Sequence, residues 1–97
     1  MFTHRAKIQL EPNSFIELSR KIQNEIMPAL RLQKGFCSGI TSIDTQWLTA
    51  TEDTFWETKE DAEAYHLTGF AEIRKMVLEI SAGEPVTSIF EGSKQYF

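Results

Sequence analysis

Phe2-Thr3-His4-Arg5-Ala6-Lys7-Ile8-Gln9-Leu10-Glu11-Pro12-Asn13-Ser14 changes its period partway along, and that change decides the fold. From residue 2 to residue 10, Phe2, His4, Ala6, Ile8 and Leu10 fall on one phase and Thr3, Arg5, Lys7 and Gln9 on the other. A period of two with one mainly apolar phase predicts a half-buried strand. Glu11-Pro12-Asn13-Ser14 then opens a helix, because proline is tolerated in a first turn and Asn or Ser can cap it. Phe15, Leu18, Ile22, Ile26, Ala29 and Leu30 follow at spacings of three and four, which lines one helical face. Pro28 removes a backbone donor and should kink that helix near its end. Gly35 suits the C-terminal cap.

Phe36 to Ile43 reads as a second strand, with Gly39 marking a bulge or close approach. Asp44-Thr45 reads as a turn, and Trp47 to Trp56 as a third strand rich in Thr and aromatics. Thr58-Lys59-Glu60-Asp61 has the form of a capping box. Its helix carries Ala62, Tyr65 and His66, bends at Thr68-Gly69, and continues with Phe70, Ile73, Val77 and Ile80 on one face. Gly83 should end it, and Pro85 blocks its extension. Val86 to Glu91 is the last strand. The order is βαββαβ, an α+β, ferredoxin-like plan: an antiparallel four-stranded sheet with two helices on one face.

A chain of 97 residues makes one domain with a thin core, assigned here to residues 1–92, with residues 93–97 as a tail. With 41% hydrophobic and 25% charged residues the composition is that of a globular protein. A net charge of −4 argues against nucleic acid as a partner, since phosphate binding needs clustered positive charge. Cys37 is the one cysteine and His4 and His66 the two histidines, so an internal disulfide is excluded and a structural zinc finds no cluster. Residues 1–7 lack the apolar stretch of a signal peptide, and no run is long enough to span a membrane. The expectation is a cytoplasmic protein that engages no membrane.

Helices on one side leave the other face of the sheet bare. With Leu48, Ala50 and Trp56 toward the helices, Trp47 and Phe55 would face away. Large aromatics there predict a second subunit, because monomers rarely expose such a patch. A one-residue slip in register would reverse this assignment. Tyr96 and Phe97, closing the tail, are expected to dock on the same partner.

Met27-Pro28-Ala29-Leu30-Arg31 through Lys34-Gly35-Phe36, then Trp56-Glu57-Thr58-Lys59-Glu60-Asp61-Ala62-Glu63-Ala64-Tyr65, then Gly83-Glu84-Pro85-Val86 to Phe90-Glu91, together resemble the antibiotic-biosynthesis-monooxygenase (ABM) family. The resemblance covers nearly the whole chain and is more specific for fold than for activity. It implies a homodimeric α+β barrel, with two sheets packed face to face and a small pocket in each subunit between its sheet and helices. Some members are monooxygenases that need no cofactor and act on polycyclic phenols; relatives degrade haem.

On that implied pocket, His4 is the candidate general base, since an imidazole titrates near neutrality. The plain alternative is a structural histidine bonded to the backbone. Trp56, Tyr65 and Phe36 are the candidate substrate-binding walls, although Trp56 suits a core equally well and a Tyr often leaves its oxygen in water. His66 follows Tyr65 and points about 100° away on a helix, which reads as a surface position. Cys37, with no basic neighbour in sequence, reads as a small buried or interface residue rather than a nucleophile. Glu52 and Asp53, adjacent on a strand, point to opposite faces and do not converge. The haem-degrading branch ligates iron through a histidine in its final helix; the matching stretch, Phe70 to Lys75, has none. No nucleotide-binding loop or His-Glu-x-x-His pattern is present, so no cofactor and no metal are expected. The leading expectation is an oxidoreductase, a cofactor-independent monooxygenase acting on a small aromatic or phenolic compound. Its rivals are a non-catalytic ligand-binding or stress-response barrel dimer, and a dimerisation module with a filled core.

Overall fold

Strand β1 (Phe2–Gln9) forms where the alternation predicted it, and β3 (Thr49–Trp56) lies antiparallel beside it. The computed structural model describes residues 1–92. Strands β2 (Phe36–Asp44) and β4 (Val86–Glu91) complete one sheet in the order β2-β3-β1-β4, every neighbouring pair antiparallel. Two helical rods pack against this sheet, which gives the ferredoxin-like βαββαβ architecture. The core between them joins Ala6, Ile8, Ala50 and Trp56 of the sheet to residues such as Leu18, Leu30, Ile73 and Val77 of the rods.

Neither rod is a plain α-helix. The first consists of α1 (Phe15–Lys21), a π turn (Ile22–Ile26) and α2 (Met27–Arg31). The Met27 N–H reaches back five residues to the Ile22 carbonyl. Pro28 has no N–H, and in α geometry its ring would crowd the carbonyl of Asn24. The wider turn just before it relieves that crowding, so the expected kink is realised as a π turn. The second rod runs through α3 (Lys59–Ala64), a π turn (Tyr65–Gly69) and α4 (Phe70–Leu78), and the bend expected at Thr68-Gly69 falls within that π turn. There the Phe70 N–H donates to the Tyr65 carbonyl, and the Thr68 hydroxyl donates to the Ala64 carbonyl at 2.7 Å. Thr58 caps this rod, its hydroxyl oxygen accepting from the Asp61 N–H at 3.0 Å.

Several boundaries differ from expectation. Trp47 lies in the turn before β3, not in the strand, and is 67% exposed. Asp44 builds that turn by accepting from the Gln46 and Trp47 N–H groups, and Leu48 takes a left-handed φ of 54°. The bulge in β2 falls at Cys37, not at Gly39, where an added Cβ would meet only ordinary contacts. Cys37 itself is exposed rather than buried. The second rod stops at Leu78 instead of reaching Gly83, because Ile80 turns in to the core and Ser81 bridges to Leu10. Gly35 does carry a positive φ, 81°, after the first rod. Phe55 points to the helix-free face, paired with Thr3 and Ser38, yet is only 5% exposed. Asp53 shares that face and takes a two-pronged ion pair from Arg5 at 2.8 Å. Tyr96 and Phe97 lie outside the described residues.

Candidate functional site

The pairing of β1 with β3 sets His4 opposite Thr54 and Ala6 opposite Glu52, and the next strand sets Thr41 opposite Glu52. All five line a narrow, almost wholly apolar chamber between sheet and rods, closed on the helical side by residues that include Tyr65 and Phe70. The chamber holds about 20 Å³, room for about one water and not for a ring.

Glu52 is the charged group in this apolar setting. Burial raises its pKa from 4.5 to about 7; the Thr41 hydroxyl, donating to its Oε2, pulls the other way, and the Asp53 charge adds to the rise. Its carboxyl is therefore divided between acid and carboxylate at neutral pH. Sequence reasoning placed Glu52 and Asp53 on opposite faces, as found, but overlooked Glu52 as a site residue. The signal was available: Ala50, Glu52, Thr54 and Trp56 share one phase of β3, so Glu52 is a carboxylate on a core-facing row.

His4 is 1% exposed and its ring packs among Tyr65, His66 and Phe70, with centroids 5.0, 5.1 and 4.9 Å away. Its Nε2 lies 2.9 Å from His66 Nδ1. Burial, and then the neighbouring His66, lower its pKa to about 4, while its own backbone and Asp53 act weakly the other way. The expectation of an imidazole titrating near neutrality is thus corrected: His4 is neutral at pH 7, and its Nε2 is engaged by His66. His66 is exposed as a residue, as expected, but its ring reaches inward to His4. The reason is the π turn, which rotates successive side chains by less than the ~100° of an α-helix. Tyr65 and His66 therefore both reach the ring of His4.

Tyr65 lines the chamber and is 3% exposed, so its oxygen is not left in water. Burial, reinforced by the charge of Glu52, pushes its hydroxyl pKa up. Trp56 is fully buried and stacks on Tyr65 at 4.5 Å with its N–H donated to Thr54 Oγ1 at 2.9 Å. Phe36 packs on Trp56 at 5.6 Å. These two stand behind Tyr65 and do not line the chamber. Among the described residues no group of three or more His, Cys, Asp or Glu is placed to hold a metal ion. No helix among them is long and apolar enough to cross a membrane.

No protein-family model matches the chain, and no curated protein matches it in sequence. Solved structures do. A Bordetella bronchiseptica protein named for antibiotic biosynthesis monooxygenase superposes with a TM-score of 0.77 at 18% identity, covering 95% of this chain and 96% of that one. A Streptomyces coelicolor monooxygenase solved with nanaomycin D gives 0.74 at 15% identity, covering 99% and 90%. A conserved Methanosarcina mazei protein gives 0.71 at 17% identity, covering 95% and 92%. At these identities the likeness carries fold and not activity: the chain has the ABM-type fold.

Proposed function

We infer that this chain is a monooxygenase that needs no cofactor and oxidises a small phenolic aromatic. One observation carries the reading: a carboxyl raised to about 7, held by Thr41 at the wall of an apolar chamber. A base tuned near the working pH transfers protons most effectively. Glu52 takes the phenolic proton, and the chamber keeps the resulting anion from water, which leaves it electron-rich toward oxygen. The overall change balances without a cofactor: phenol plus O2 gives quinone plus water, with the substrate supplying all four electrons. His4, neutral and tied to His66, serves as a polar wall rather than as the base. Trp56 and Phe36 back the ring of Tyr65. The nanaomycin D bound by the Streptomyces neighbour supports a ligand-binding role for this fold.

The reading includes a cytoplasmic homodimer packed sheet to sheet. Ile40 and Val86, 49% and 72% exposed on the helix-free face, favour this, with Trp47 in the bordering turn. A second reading, a dimerisation module with a filled core, is favoured by the narrowness of the chamber.

Oxygen consumption with polycyclic phenols separates the two. Glu52→Gln should lower the rate by about 10²–10⁴-fold, the usual contribution of a general base. His4→Gln should change it far less. Uptake unchanged in Glu52→Gln, or no uptake with any phenol, contradicts the monooxygenase.

A further inference from the structure

Two voids meet at one side chain. The chamber bearing Glu52 and His4 holds about 20 Å³. Where the turn after the first rod approaches the second rod lies a groove of about 350 Å³, lined by Gln33, Lys34, Asp61 and Thr68 among others. Among the described residues Tyr65 alone lines both. Its ring leans on Trp56 and meets His4 edge-on at 82°. Toward the groove the ring borders Gly69, where an added Cβ would lie 3.0 Å from Tyr65 Cδ1 and 2.5 Å from Gln33 Oε1. Toward the chamber its hydroxyl feels the charge of Glu52. A phenol of the chain itself thus fills the space beside the candidate base. It does so from the first position of a π turn, a local irregularity that is frequent at functional sites.

We propose that Tyr65 is a displaceable plug: a phenolic ligand comes in through the groove, takes the place of the tyrosine ring against Trp56, and leaves its polar substituents beside Gln33, Lys34 and Asp61. The proposal rests on the chamber being the phenol site, and it accounts for how so small a chamber admits a ring. Displacing the ring joins the chamber to the groove.

The test is binding of 1-naphthol to the whole chain, followed by stopped-flow fluorescence. In the wild type the observed rate should level off with naphthol concentration, because the ring must move first. In Tyr65→Ala the rate should rise linearly, and affinity should improve about tenfold, since the cost of opening is removed. Gly69→Ala, whose added Cβ crowds the ring in its resting place, should ease its displacement and raise the limiting rate of binding severalfold over wild type; its φ of −66° suits alanine. Wild-type affinity and rate in both variants overturn the plug. If circular dichroism shows Tyr65→Ala unfolded, Gly69→Ala decides alone, and an unchanged rate overturns the proposal. Gated binding without oxygen uptake leaves the plug standing and removes the monooxygenase. Uptake with ungated binding does the reverse, and no binding by any folded variant overturns both.

Discussion

Glu52 and His4 face one chamber, and their pKa values move in opposite directions with opposite consequences for stability. The unfolded chain releases the Glu52 proton near 4.5, while the fold holds it to about 7. Between those values the folded state binds more protons, so this group makes stability fall as pH rises. His4 charges near 6.5 when unfolded but only at about 4 when folded. The unfolded state then binds more protons, so stability rises with pH over that window. The two slopes oppose each other from about 4.5 to 6.5 and nearly cancel. Urea unfolding at stepped pH should show a rising profile in Glu52→Gln and a falling one in His4→Gln, each relative to wild type. Parallel profiles for all three proteins would contradict both shifts. The facing of these residues was legible, because alternation alone puts His4 and Glu52 on inward phases. What strand periodicity could not supply was the partner of each. Thr41 meets Glu52 only through the register of β2, and His66 meets His4 only through a π turn.

The two glycines read as helix terminators, Gly35 and Gly83, differ sharply. Gly35 has a φ of 81°, and the Asp61 side chain occupies the space a Cβ would take. Nothing lies within 4 Å of a Cβ at Gly83. Gly35→Ala should therefore destabilise by about 1 kcal/mol or more, and Gly83→Ala should be near neutral, in chemical denaturation. Equal midpoints for the two variants would count against this account of the first rod's end. Every strand and both rods were legible in the sequence, since periodicity and the Thr58 cap are local signals. The element ends were less so. The second rod stops at Leu78 because Ile80 is needed in the core and Ser81 pairs with Leu10, contacts that span most of the chain. Likewise Trp47 left the third strand because Asp44 organises a turn around it.

Across the whole molecule, helices cover one face of the sheet and the other carries Ile40 and Val86 in the open. Covering that face with a second copy would extend a thin core, and light scattering should give about twice the chain mass. A monomer at micromolar concentration would contradict the barrel. The chemistry depends on a narrower point, the protonation of one carboxyl inside the chamber. Carbon-13 NMR of the glutamate carboxyls, with Glu52 assigned by its loss in Glu52→Gln, measures it directly. A Glu52 midpoint near 7 is the predicted result. A midpoint near the ordinary 4.5 would leave the chamber without its base and contradict the account.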